Sequence, residues 1–209
     1  MVYYPAFLNL KGRKTVVVGG GPVAERKVRS LLDAGALVMV ISPDLTQKLH
    51  RLKQQGRIDH KAREFRAGDL KGCFLAIAAT DDPDVNIRVA AEASCPVNVV
   101  DVPFLCSFIV PAVVKRGPLT LAISTGGASP ALARTIRKEL EKMYGREMAA
   151  YLTYVRHVRK NALLKISDRK KRESFLKKLA APALLVKLRK EGIAAVRTAV
   201  QKELNSLTS

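Results

Sequence analysis

At 209 residues, with 48% hydrophobic residues and a mean hydropathy of +0.03, the chain is long enough to bury a core as one large domain or two small ones. No apolar run approaches the ~20 residues of a membrane span. The opening Met-Val-Tyr-Tyr-Pro lacks the basic and long apolar regions of a secretion signal, so a cytoplasmic location is expected. The net charge of +19 is uneven, because 22 of the 37 Lys and Arg but only 7 of the 18 Asp and Glu lie from position 111 onward. Such a balance favours a polyanionic partner (nucleic acid, an anionic membrane or a heavily carboxylated small molecule) over neutral ones; its bland counterpart is a solvated helical surface. Cys73, Cys95 and Cys106 are odd in number and lie in or beside apolar segments, which predicts buried free thiols rather than disulfides.

In chain order, the first half alternates strand and helix. Thr15–Val18 is an apolar β-branched strand that breaks into three glycines. Pro22–Asp33 follows as a helix with Val23, Val28, Leu31 and Leu32 at helical spacing, stopped at Gly35. Leu37–Ile41 is a buried parallel strand, and Asp44 is placed to cap a helix running to about Gln55. Ile58–Ala62 is a weaker strand and Phe74–Ala79 a stronger one. Asp81 or Asp82 then caps a helix with Pro83 in its first turn, running to about Ser94, and Pro96–Val100 is the next strand. This rhythm predicts an α/β fold opening with a Rossmann-type, doubly wound parallel sheet. After Asp101 the rhythm changes. Residues 107–114 and 119–124 read as strands with no helix between them, and from Ser129 the chain is helical, with breaks near Gly145, Ser167, Pro182 and Gly192. The expected domains are 1–112, a small α+β unit over 113–147, and a basic helical domain over 148–209.

Four stretches can carry chemistry. Gly19, Gly21 and Ala24 fill G-x-G-x-x-A between a strand and a helix, the pattern that brings backbone N–H groups up to a pyrophosphate, with Pro22 and Val23 opening the helix. About 20 residues on, Ser42, Pro43 and Asp44 follow the second strand, where a dinucleotide's ribose binds; no Arg stands there for a 2′-phosphate, so NAD is favoured and NADP left open. Thr80 ends the fourth strand and admits the nicotinamide side. Asp101, at the end of the next strand, is either a general base or a turn cap. The turn Ser124–Pro130, with Gly126, Gly127 and the N-cap Ser129, makes an anion-favouring start to a helix, and Arg134 lies one turn further on. His50, His60 and His157 are scattered. No grouping has metal-ligand spacing, so no metal site is expected, and no Ser-His-Asp or Cys-His pattern stands out.

Five ordered motifs resemble the siroheme-synthase family: Val-Val-Val-Gly-Gly-Gly-Pro-Val-Ala-Glu-Arg-Lys, Ala-Ile-Ala-Ala-Thr-Asp-Asp, Asn-Val-Val-Asp, Ser-Phe-Ile-Val-Pro-Ala and Ser-Thr-Gly-Gly-Ala-Ser-Pro, over roughly residues 1–160. The resemblance is to its precorrin-2 dehydrogenase and sirohydrochlorin ferrochelatase module. It implies NAD-dependent oxidation of precorrin-2 to sirohydrochlorin, in siroheme or cobalamin synthesis, on a homodimer whose second domain is shared. In some members Fe²⁺ or Co²⁺ is then inserted. Asp101 falls on the family's catalytic aspartate, and Pro22–Val23 and Pro43–Asp44 on its cofactor contacts. Ser107, Thr125, Gly126, Gly127, Ser129 and Arg134 are the substrate-facing candidates; Thr125 stands where some bifunctional relatives have Ser, which puts regulation through that Ser in doubt. The fused methyltransferase domain of some relatives is expected to be absent, with precorrin-2 supplied by a separate enzyme. The resemblance also gives the positive charge a partner, since precorrin-2 carries eight carboxylates. The competing readings are a non-catalytic NAD-sensing module and a nucleic-acid-binding protein. Aromatic content of 5% without Trp disfavours single-strand binding.

Overall fold

The computed structural model describes residues 3–208. A five-stranded sheet in the order β3-β2-β1-β4-β5 is built from β1 (Lys14–Val18), β2 (Leu37–Ile41), β3 (Asp59–Lys61), β4 (Leu75–Ala78) and β5 (Val97–Val99). All its pairings are parallel, with Val17 opposite both Val40 and Ile77. The central strands are apolar on both faces because helices cover both. Alternate side chains accordingly enter different cores. Val17, Val40 and Ile77 pack with Ala24, Val28 and Leu31 of α1 (Pro22–Asp33), whereas Val16, Val18, Ala76 and Ala78 pack with Val89 of α3 (Pro83–Glu92) and with Phe65 and Leu70. This is the doubly wound Rossmann-type arrangement, with its change of direction between β1 and β4, where ligands of such sheets bind.

Two expectations are corrected. The helix after β2, α2 (Gln47–Gln54), is capped not by Asp44 but by Thr46, whose hydroxyl accepts from Leu49 N. The backbone before it is engaged elsewhere, since Thr46 N donates to Gly20 O at 3.0 Å. The strand expected over 107–114 begins only at Ala112. Before it, Pro103–Leu105 is a short 3-10 turn, and Ser107 N and Phe108 N both donate to Val97 O. Pro103 and Pro111 lack the N–H a strand needs. The segment instead lies along β5 and covers the sheet edge.

After β3, Asp69 is buried and ties the following loop to the end of that strand. It accepts both guanidinium nitrogens of Arg63 at 2.7 Å, Lys61 Nζ at 2.7 Å and Arg66 N at 2.9 Å. The Arg63 hydrogen bonds above all hold its carboxyl far below the usual carboxylate range, against the opposing effect of burial. A depressed native pKa means the contribution is present above the unfolded value near 3.9 and is lost as pH falls below it. Asp69→Asn should therefore cost on the order of 2 kcal/mol at pH 7. The gap in urea midpoint between wild type and variant should narrow from pH 7 to pH 3; an unchanged gap would contradict an ionic role.

One compact unit ends at Val110 and a second begins at Pro111. The second opens with an antiparallel hairpin, β6 (Ala112–Arg116) and β7 (Leu119–Ile123), followed by α4 (Pro130–Met143), α5 (Glu147–Lys165), α6 (Arg169–Lys178) and α7 (Pro182–Thr208). Arg116 fastens the hairpin to the end of α4 by donating to Tyr144 O and Glu141 O. Tyr151, Val158, Ala162, Phe175, Leu188, Val196 and Val200 form its core, and Leu119 and Tyr144 pack against it. The buried members of this core all lie within 148–209, and Leu119 and Tyr144 of 113–147 pack against them partly buried. Tyr151 Oη donates to Leu179 O, and α7 is kinked at Gly192.

Candidate functional site

The glycine loop after β1 is locked to its neighbours on both sides. Gly19 N donates to Ile41 O and has a φ of +115°; a Cβ there would lie 2.2 Å from Ala79 O. A Cβ on Gly20 would lie 1.9 Å from Asp44 O and 2.8 Å from Ser42 Oγ, so only glycine lets the loops after β1 and β2 close together. Gly21 is different. It is exposed, a Cβ there would meet nothing within 4 Å, and no side chain caps the helix it begins. The first N–H groups of α1 are therefore left for an anion. Pro22 is exposed in the first turn, Val23 half-buried, and Ala24 fully buried against the sheet.

Glu25 holds the second loop in place. It accepts from Thr46 Oγ1 at 2.8 Å and pairs with Lys48 Nζ at 3.1 Å, and the Thr46 hydrogen bond is the main cause of its lowered carboxyl pKa. Ser42 is half-buried, with His60 Nε2 2.9 Å from its carbonyl, while Pro43 and Asp44 are exposed at the tip. After β4, Thr80 is fixed by Asn86: Thr80 N and Oγ1 lie 3.3 and 2.9 Å from Asn86 Oδ1, and Asn86 Nδ2 donates to Thr80 O. Gly19, Gly21, Ser42, Pro43, Asp44 and Thr80 are thereby brought to one edge of the sheet, at the carboxyl ends of β1, β2 and β4.

Asp101 stands at the same edge, two residues beyond β5 in a turn with φ +60°. It is exposed and lines a cleft of about 240 Å³ with Lys27, Asn98, Cys106 and Val110. The turn is braced by Cys106. Its sulfur accepts from Val99 N at 3.2 Å and Asn98 Nδ2 at 3.4 Å, and lies 3.2 and 3.4 Å from the carbonyl oxygens of Val99 and Val102. Lys27 reaches the cleft from α1 half-buried; burial lowers its ammonium pKa, Arg26 adds to this, and Asp101 and Cys106 oppose it. Ser107 is not among the cleft's lining: its hydroxyl accepts from Val97 N at 2.8 Å and holds the edge segment to β5.

Thr125, Gly126, Gly127, Ser129 and Arg134 belong to the second unit. Thr125 Oγ1 bridges Ser129 N and O, Ser129 Oγ caps α4 by accepting from Leu132 N, and Arg134 Nε donates back to Pro130 O. Gly126 and Gly127 have φ of +62° and +91° and open space around them. The cysteines are half-buried rather than buried, and Cys73 Sγ lies 3.2 Å from Cys95 Sγ, with burial the main cause pushing the Cys73 thiol up to about 12.

A family described as "Putative NAD(P)-binding" matches residues 6–112, half of the chain and the whole of the sheet with its loops. A second, described as "Sirohaem biosynthesis protein central", matches residues 116–143. The chain is 45% identical over 177 residues to the siroheme synthase of Pseudomonas putida strain F1, covering 81% of this chain and 38% of that protein. It is 51% identical over 144 residues to that of Azotobacter vinelandii, covering 68% and 31%. The chain belongs to the siroheme synthase family. It spans well under half the length of these relatives. Among solved structures, a protein titled "SirC, precorrin-2 dehydrogenase" superposes with a TM-score of 0.83 at 28% identity, covering 96% of this chain and all of that one. The family's NAD(P)-binding part contains the glycine loop, the β2 tip, Thr80 and Asp101; its central part contains Thr125 to Arg134.

Gly20, Glu25, Asn86, Lys27 and Cys106 are absent from the sequence-based candidates. Lys27 alone had a local signal, three residues after Ala24 on the face of α1 that packs inward.

Proposed function

We propose that this chain oxidises precorrin-2 to sirohydrochlorin with NAD, and that Asp101 is its general base. The observation that carries the reading is the meeting, at one sheet edge, of an uncapped glycine-led helix start and an exposed carboxylate in its own cleft. The residues present fit a dinucleotide: Gly21 leaves room for the pyrophosphate, and Asp44 stands where ribose hydroxyls bind and would repel a 2′-phosphate. When bound, NAD supplies the hydride acceptor. Gly19 and Gly20 shape the loop that holds it, Ser42, Pro43 and Asp44 bound its adenosine side, and Thr80 its nicotinamide side. Losing a hydride from the macrocycle also requires losing a proton, and Asp101 takes it. Thr125 to Arg134 are read as substrate-facing, residues 113–147 as a homodimer interface in keeping with the exposed apolar Val113, Leu132 and Met143, and the location as the cytoplasm. No helix among the described residues is long and apolar enough to cross a membrane.

The test is anaerobic precorrin-2 with NAD, followed by nicotinamide and tetrapyrrole absorbance. One NADH per sirohydrochlorin is expected, and adding Fe²⁺ decides whether chelation follows. Because the excess charge faces a substrate with eight carboxylates, kcat/KM for precorrin-2 should fall steeply with salt while NAD affinity changes little. NAD binding without turnover would favour the sensing module; a flat salt profile would return the charge to mere solvation.

A further inference from the structure

We infer that Lys27 is a carboxylate-binding residue of the Asp101 cleft, holding a side-chain carboxylate of the substrate so that the macrocycle edge faces Asp101. The inference rests on the dehydrogenase reading and names the contact by which that site would hold an acidic tetrapyrrole.

Lys27 is rooted where it has little freedom. Its neighbours on the helix, Ala24 and Val28, are fully buried against the sheet, so the side chain leaves α1 toward β5. There it shares the cleft with Asn98, Asp101 and Cys106. The carboxylates this unit buries are paired with cations, Glu25 with Lys48, and Asp69 with Lys61 and Arg63. Among the described residues, no carboxylate lies within ion-pair distance of Lys27. A half-buried ammonium with no carboxylate in contact is costly, and that cost is relieved when an anion enters. Its lowered pKa agrees with this geometry.

The arrangement is not a broken salt bridge. Lys27 and Asp101 line the same cavity with about 240 Å³ of space, room for part of a ligand rather than a water. A ligand offering a carboxylate to Lys27 and a proton to Asp101 satisfies both charges at once. Precorrin-2 offers both, carboxylates on its side chains and a proton on its macrocycle, whereas the cofactor offers phosphate and no such proton. The cofactor's phosphates are served elsewhere, at the open N–H groups after Gly21. Lys27 lies five residues beyond Pro22, about 7.5 Å further along the helix axis. Position on the helix therefore separates the two anions that this lysine could take.

The experiment uses the whole protein and a stable probe, uroporphyrin, a macrocycle with eight carboxylates that cannot be turned over. Its affinity is measured by fluorescence quenching for wild type, Lys27→Met and Lys27→Arg, with NAD affinity by calorimetry on the same samples. Lys27→Met should weaken uroporphyrin about tenfold or more, the worth of one charge-assisted hydrogen bond. Lys27→Arg should restore most of it, and NAD affinity should stay within about twofold of wild type in both, since neither touches the phosphate site. Equal uroporphyrin affinity in wild type and Lys27→Met, or no binding to wild type, would overturn the assignment. A loss confined to NAD would overturn it too and move Lys27 to the cofactor. Precorrin-2 turnover by the wild type is recorded separately: a wild type that oxidises precorrin-2 while Lys27→Met binds uroporphyrin normally refutes Lys27 alone. A wild type that binds uroporphyrin through Lys27 but never reduces NAD refutes the dehydrogenase reading instead.

Discussion

Asp101→Asn is expected to lower the precorrin-2 dehydrogenase rate by about 10²–10⁴ while fold and NAD affinity stay at wild-type values. The group that takes the proton must reach the macrocycle, and Asp101 is exposed at the mouth of its cleft. Asn has nearly the same shape but no free lone pair of a charged oxygen. The substitution is also clean for the backbone. Asp101 has φ +60°, a left-handed conformation that Asp and Asn adopt more readily than other side chains bearing a Cβ. Asp101→Ala would lose the base and in addition strain the turn by about 1 kcal/mol, so a drop in its melting temperature would blur the kinetics. Asn avoids that confusion. If Fe²⁺ insertion occurs and uses the same carboxylate to strip pyrrole protons, it should fall in parallel. Wild-type turnover by a well-folded Asp101→Asn protein would mean that another group, or water, takes the proton.

Much of the fold was legible because its signals are local. Gly21 and Pro22 mark the start of α1, and its apolar residues repeat at helical spacing, so Pro22–Asp33 reads directly. Val38–Ile41 and the valines of β1 are continuous apolar runs that only a sheet covered on both faces would bury, although Leu37 at the start of β2 is exposed. What escaped depends on partners far along the chain. Nothing near Pro43 announces that the loop is pinned by Gly20, so α2 starts later than its first acidic residue suggests. The run after Ser107 is apolar enough for a strand, but its backbone is spent on Val97 of an edge already formed. The site divides in the same way. The glycines, the β2 tip and Asp101 stand at strand ends, which the strand pattern marks, while the role proposed for Asp101 comes from the family resemblance and not from spacing. Asn86, Cys106 and Lys27 reach across the fold, to Thr80, to the Val99–Val102 turn and into a cleft, and no spacing rule carries that information.

Two neighbouring glycines should respond in opposite ways in stability, and the variant that loses NAD without losing stability locates the cofactor. Gly20→Ala places a methyl 1.9 Å from the backbone oxygen of Asp44 and 2.8 Å from Ser42 Oγ. Backbone cannot step aside cheaply, so the loops after β1 and β2 must part and the 3.0 Å bond from Thr46 N to Gly20 O must lengthen. A loss of about 1–3 kcal/mol in stability is expected, as for overpacking elsewhere. NAD affinity should fall with it, because Ser42, Pro43 and Asp44 move with the second loop. Gly21→Asp faces no such obstacle. Its φ of −79° suits any residue, nothing lies within 4 Å of a new Cβ, and Asp at this N-cap supplies the side-chain cap that α1 lacks. Its melting temperature should match or exceed wild type. Yet the new carboxylate occupies the place where the pyrophosphate would meet the helix N–H groups, and two like charges about 4 Å apart at a protein surface repel by up to about 4 kcal/mol. Calorimetry should therefore show NAD affinity reduced on the order of 100-fold or more in a protein that is no less stable. A stable Gly21→Asp variant that binds NAD as wild type does would place the dinucleotide away from this helix start, and the role given to the glycine loop would fall with it.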